Sequence, residues 1–493
     1  MATNVRDHTQ SVPEREGTLK SKEVMMSTHR LPGAVNQATE RSFVFSKKNA
    51  EADEIDRVCW SVPFRFAFCL LFLFLLLSDV VIFSPLSIIP FVGDAISNGI
   101  SFVAFHAAQW TGVHAFHLSG IAMEAHPTDS RDTALNWITL GLILCASVFG
   151  ALVWRVLDRR RPHYQTAAAW LRFLLRMLLV FLMLRYGSGK VFPLQMSRPS
   201  LAVLNEPLGQ SSPMTLLWTM IGLHPLYQIL CGAFEMLAGV LLFFRRTALL
   251  GALLNAFIMS NVLLFNLFFD VPVKLGAGLI LLTTIAVIAP DLGSLYEYFW
   301  LHRMTAPTGL WVPPLERREF RIGTRVIEVG FVLLAIYNLV PGAYTMAKQE
   351  SQNVRHPGAL TGEWHVDSDV LRLDGHNVDT PVLTAEGSPL TALYLEPDGR
   401  VMARSSDGRL WRAGIQVDPQ KRTLSLYSGW FEGTRFQGSY LFAQPDPNHL
   451  VLKPFGDGAG MLGTLTLSRV PLPDHYPLLD RGFHWINEWA LER

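Results

Sequence analysis

Seven stretches of the chain stay apolar for roughly the 20 residues that a helix needs to cross a bilayer. They run at about 63–83, 134–157, 167–192, 215–244, 247–268, 271–290 and 324–345. One further stretch, 86–118, is apolar but interrupted. "LSIIPFVGDAISNGISFVAFHAAQW" carries Pro90, Gly93, Asp94 and Asn98. It reads as an amphipathic helix lying on the outer leaflet, with a re-entrant hairpin as the alternative.

The pattern changes after Ala347. From 360 to 470 apolar and polar residues alternate in short segments such as "LTALYLEPDGRVMAR" and "GTLTLSRV", separated by Asp-Gly and Asp-Pro turns. This period of two with hairpin turns predicts an up-and-down antiparallel meander closing into a small barrel. The Gly362-x-Trp364 of its first strand ("TGEW") resembles the opening of lipocalin-like barrels. Such a barrel would be either a cup for a small apolar ligand or a lid or docking module filled by its own side chains. The ending "YPLLDRGFHWINEWALER" holds Phe483, His484, Trp485 and Trp489 close together and is expected to pack against the outer face of the bundle.

The expected fold is therefore a membrane all-α bundle with a C-terminal all-β domain. Its parts are a polar, disordered cytoplasmic tail (1–58), two spans with an external amphipathic segment (59–166) and a four-helix membrane core (167–290). A cytoplasmic loop (291–323), the last span (324–345), an external β domain (346–475) and an aromatic tail (476–493) follow. No secretory signal is read before the first apolar run.

Composition agrees with a membrane protein. Of 493 residues, 50% are hydrophobic and 17% charged, and mean hydropathy is +0.25. A net charge of +1 offers no field for nucleic acid. The four cysteines, Cys59, Cys69, Cys145 and Cys231, form no CxxC pair, which argues against a disulfide scaffold, a zinc knuckle and a dithiol centre. The arginines set orientation. Arg155, Arg159, Arg160 and Arg161 follow the second run, Arg245 and Arg246 the fourth, and Arg303, Arg317, Arg318 and Arg321 the sixth. The intervening loops are poor in cations. By the positive-inside rule the N-terminus is cytoplasmic and the β domain external, in a bacterial inner membrane.

Charges inside the spans are the candidate chemistry, because each costs about 2.5–3.5 kcal/mol to insert. At 1.5 Å per residue, Arg176 lies near the inner surface and can snorkel. Arg185 and Glu235 reach similar mid-membrane depths on neighbouring antiparallel helices and are expected to pair, flanked by Asn255 and Asn261. Lys190, His224, Asn266, Asp270 and Lys274 form a second, outer layer. The candidate ligand-binding set is thus Arg185, Lys190, His224, Glu235, Asn261, Asp270 and Lys274. The alternative is that these groups only fix helix register. If 106–117 is helical, His106, His114 and His117 share a face with Trp110, which makes them weak candidates for a metal ion.

The runs from 167 to 290 resemble the DoxX-like family of bacterial membrane proteins. The residues that carry the resemblance are "LRYGSGKVF" and "FEMLAGVLLFFRRTALLGALLNAF", with "FPLQ", "SPMTLLW", "DVPVKL" and the ending "RGFHWINEW" matching an uncharacterised branch with extra helices and an external C-terminal domain. Lys190 and Glu235 match the family's charged pattern best. The resemblance implies a membrane subunit of a redox or stress-related assembly, working with a redox partner protein or binding quinone. Lys190, Arg185 and Asn261 would then supply donors to the quinone carbonyls. Two other readings stay open: an enzyme or carrier acting on a lipid-like substrate at the outer leaflet, and a membrane scaffold without a small ligand.

Overall fold

The computed structural model describes residues 62–77, 93–123, 131–158, 164–304, 318–355, 358–373, 376–378, 390–396, 400–418, 420–428, 435–455 and 463–480. The N-terminal tail, the aromatic ending with His484, residues 86–92 of the interrupted segment, and most of the loop before the last helix lie outside the described residues.

The helices are α1 (Val62–Leu76), α2 (Gly93–Phe116), α3 (Ala134–Leu157), α4 (Gln165–Val191), α5 (Pro213–Gly222), α6 (Pro225–Phe243), α7 (Ala248–Phe268), α8 (Lys274–Ile288), α9 (Leu292–Phe299) and α10 (Arg318–Arg355). Among the described residues, six spans are long and apolar enough to cross a membrane: α3, α4, α6, α7, the continuous α8–α9 segment Lys274–Phe299, and α10. The chain is a multi-pass membrane protein on this ground. The first apolar run is a shorter helix, Val62–Leu76, and residues 78–83 of its expected length lie outside the described residues.

Three expectations are corrected. The run 215–244 is two helices, because Pro225 begins α6 at a position where its missing N–H costs nothing, and His224 before it is extended. At ten residues α5 is too short to cross alone. The sixth span does not stop at 290 but turns through Ala289–Asp291 into α9. The last helix is 38 residues rather than about 22, with Pro341 inside it.

The central helix is α4. It is 78% buried over its apolar window, whereas α3 and α10 are 17% buried and face outward. Leu178, Leu179, Leu182 and Met183 of α4 are sealed in the core with Leu242, Ala252, Ile280 and Val287 from α6, α7 and α8. The α4–α6 contact depends on glycine. A Cβ at Gly232 would stand 2.7 Å from both the Gly187 carbonyl oxygen and Lys190 Cβ, so the backbones meet only because neither residue has a side chain.

The C-terminal strands are β1 (Gly362–Leu373), β2 (His376–Val378), β3 (Leu390–Leu395), β4 (Arg400–Ser405), β5 (Leu410–Asp418), β6 (Thr423–Ser428), β7 (Arg435–Asp446), β8 (His449–Phe455) and β9 (Gly463–Arg469). They form one antiparallel sheet in the order β2-β1-β3-β4-β5-β6-β7-β8-β9, and β1 also pairs with β9. The first part of β1 pairs with β3, and Trp364–Leu371 pairs with β9. The meander therefore returns to its own first strand in a barrel-like curve, as the alternation predicted. Gly362 has φ +144°, which favours glycine, and starts this strand. Trp364 is fully buried two residues on. Its ring lies under the Arg469 guanidinium at 4.4 Å, and Arg469 also donates to the Thr361, Ala359 and Pro447 carbonyls. Leu393, Leu395, Leu424, Leu450, Leu452, Leu465 and Leu467 fill the interior with Trp364.

Candidate functional site

Lys190 and Glu235 form a buried ion pair at the α4–α6 crossing. The Lys190 ammonium donates to Glu235 Oε1 at 2.7 Å and to Oε2 at 2.9 Å. Glu235 is 3% exposed and Lys190 8%. The partner of Glu235 is thus Lys190, not Arg185. The reason is helical phase: Arg185 lies five residues before Lys190 and points to an exposed side of α4, while Lys190 sits on the face that Gly232 lets approach. The two polar layers expected from depth merge here into one contact.

The other candidates lie apart. His224 is exposed at the start of α6, and Asn261 is exposed and bonds the Phe257 carbonyl in its own helix. Asn255 is fully buried and donates to Thr284 on α8. Lys274 pairs with Asp270 at 2.7 Å and lies 3.9 Å from Asp132. Asp132 was not anticipated. Its carboxylate accepts the Lys274 and Leu275 backbone N–H groups, at 2.8 and 2.9 Å, and so caps α8 from another segment. Asn266 closes the same turn by donating to the Val273 carbonyl.

His106 and His114 each bond the carbonyl four residues back and lie against Phe102 and Trp110, respectively. His117 ends the helix at φ 54°. Among the described residues no three His, Cys, Asp or Glu side chains stand as a metal ion requires.

A second set of charges, at the opposite end of α4, was missed. Arg172 is 4% exposed, pairs with Asp291 and donates to the Val287 carbonyl. Arg176 is fully buried rather than snorkelling, and reaches Glu328 of α10 at 2.7 Å. Arg245 reaches the other oxygen of Glu328 at 3.4 Å. A usable signal was present: Glu235 and Glu328 lie inside apolar runs, and each had to find a cation at its own depth.

The barrel is tied to the bundle through the segment between α4 and α5. A single helical turn, Leu201–Leu204, packs Leu201 and Ala202 on Ala392, Tyr394 and Met402. Both faces of β3 are consequently covered. Glu396 accepts the Leu201 N–H at 2.8 Å, Glu363 accepts from Asn205 at 2.9 Å and from the Tyr394 hydroxyl at 3.1 Å, and Arg404 donates to the Asn205 carbonyl. Burial, and then the Glu363 carboxylate, raises the Tyr394 phenol well above its ordinary value. Gln228 of α6 anchors the near end of this segment with two bonds to the Met196 backbone, both at 2.8 Å.

No family model matches the chain, and no solved structure matches it. A curated relative, the uncharacterised protein YwoB of Bacillus subtilis (strain 168), is 42% identical over 60 residues, which is 12% of this chain. The match spans 39% of the length of that relative.

Proposed function

We propose that this chain is a membrane-anchoring subunit of DoxX-like type, a helical scaffold that presents its barrel at the outer face of a bacterial inner membrane. The observation that carries this reading is the docked barrel. The α4–α5 segment fixes it by apolar packing and by hydrogen bonds to Glu363 and Glu396, so one defined barrel surface is offered. The interior charges support the same reading, since Lys190, Glu235, Arg172 and Asp291 satisfy one another. The arginine alternation supplies the orientation.

The test is native mass spectrometry of the full chain released gently from its own membrane, with reporter fusions after residue 50 and at residue 493. A stoichiometric protein partner, with the two reporters in opposite compartments, is the expected outcome. A chain without partner protein, or reporters in one compartment, would refute it.

A second reading rests on Lys190. Its ammonium uses two bonds on Glu235 beside the small residues Gly187, Ser188 and Gly189, and a third N–H is available to a quinone carbonyl. A quinone retained in the mass spectrum and lost in Lys190→Gln would move the assignment to a quinone-binding redox subunit.

A further inference from the structure

Among the described residues, the charges that meet in ion pairs at the end of the bundle far from the barrel do not balance. Of the described residues, Arg172, Arg176 and Arg245 face Asp291 and Glu328, three positive groups against two negative. Arg172 and Asp291 neutralise each other. That leaves two guanidiniums sharing the Glu328 carboxylate, and the sharing is unequal: Arg176 takes one oxygen at 2.7 Å, Arg245 the other at 3.4 Å. Among the described residues, Arg176 Nε, Arg176 Nη1 and Arg245 Nε are buried and meet no acceptor. Buried guanidinium N–H groups are costly to leave unmet, and an excess positive charge in an apolar bundle more so.

The surroundings define what would complete the site. The Arg245 side chain is 20% exposed, so the cluster opens at the turn between α6 and α7. Close along the chain to Arg245 and Glu328 stand exposed cations, Arg246 on the turn and Arg321 and Arg325 on α10, and exposed apolar side chains, Phe244, Leu250 and Val329. A ligand with an anionic oxygen group and long apolar chains fits both kinds of side chain. Guanidinium forks match phosphate oxygens well, and basic pockets between helices at a membrane face are where lipid headgroups bind. We propose that the Arg176–Arg245 cluster holds the phosphate of an anionic phospholipid from the adjoining leaflet, with Arg245 as the residue that moves from its long contact with Glu328 onto the phosphate.

The experiment is thermal unfolding of the full chain in detergent, titrated separately with phosphatidylglycerol, phosphatidylcholine and inorganic phosphate, for wild type, Arg245→Gln and Arg155→Gln. Arg155 is an exposed cation in the last turn of α3 and controls for general attraction to anionic surfaces. Phosphatidylglycerol should raise Tm by about 3 °C or more at saturation, phosphatidylcholine should not, and Arg245→Gln should lose the rise while Arg155→Gln keeps it. A rise with inorganic phosphate of equal size would keep the phosphate site and assign it to a soluble ion. If Arg245→Gln fails to fold, the wild-type native mass spectrum decides, by preferential retention of phosphatidylglycerol over phosphatidylcholine in an equal mixture. No selective rise, an undiminished rise in Arg245→Gln, or equal retention of the two lipids would overturn the proposal.

Discussion

Glu235 in the helical core and Glu396 at the foot of the barrel are both nearly buried carboxylates, 3% and 8% exposed, yet different partners hold them. Glu235 takes both its bonds from the ammonium of another helix. Glu396 takes the backbone N–H of Leu201, in a segment that leaves the bundle. The same contrast separates the two regions as wholes. The core encloses full charges and turns apolar side chains outward, with Phe257 69% and Leu157 80% exposed. The barrel encloses leucine and keeps ion pairs such as Lys421–Asp418 and Arg409–Asp407 on the outside. In hydrocarbon every interior charge must be met by an opposite charge at its own depth. Next to water a backbone donor can serve a carboxylate in place of an opposite charge.

Four substitutions or conditions test that contrast, in falling order of effect. Glu235→Gln or Lys190→Gln alone should destabilise the full chain by about 3–5 kcal/mol, because each leaves an orphan charge in the core. The double variant should recover part of the loss in thermal unfolding, giving a clear coupling energy. Additive losses would mean the pair is not a unit. In the barrel, Leu450→Ala should cost about 2–4 kcal/mol through a cavity, and proteolysis should then cut the β domain first. Glu396→Ala should cost about 1.5–3 kcal/mol, the order of a buried hydrogen bond to a charged group, and should raise hydrogen exchange at the Leu201 amide while leaving the core amides unchanged.

The smallest effect is a pH response. Burial pushes the Tyr440 phenol up to about 12, and Tyr394 is raised as well. A raised folded value means that the folded barrel keeps its phenol protons when the unfolded chain gives them up. Stability is therefore intact below about pH 10 and falls as pH rises toward 12. Tyrosinate absorbance should include the late-titrating phenols of Tyr394 and Tyr440, whose ionisation coincides with loss of barrel signal. Early ionisation of both would refute the buried placement.

The barrel was legible from sequence because a period of two places a residue on one face regardless of its neighbours. Leu393, Leu395, Leu450 and Leu452 could be assigned inward from alternation alone. The membrane spans were legible in position for the same kind of reason: apolar length is a local property. Pairing was not. Depth matching put Arg185 opposite Glu235 and Lys190 in an outer layer, whereas rotation about the helix axis, which the Gly187–Gly232 approach sets, gives Glu235 to Lys190. Arg176 was misplaced because its partner, Glu328, lies 152 residues away in a helix whose packing side the sequence left unassigned. The break at His224–Pro225 was visible in principle, since proline after an extended residue starts a helix.

At 38 residues, α10 is about 57 Å long, against a hydrocarbon core of about 30 Å. It ends at Arg355, a few residues before β1 begins. The barrel is therefore on a short leash as well as seated on the Leu201–Leu204 turn. A leash this short keeps the local concentration of barrel at its seat in the millimolar range or above. The seat can then be small, a handful of contacts, and still be occupied nearly all the time, and a free copy of the barrel added from solution would compete poorly for it.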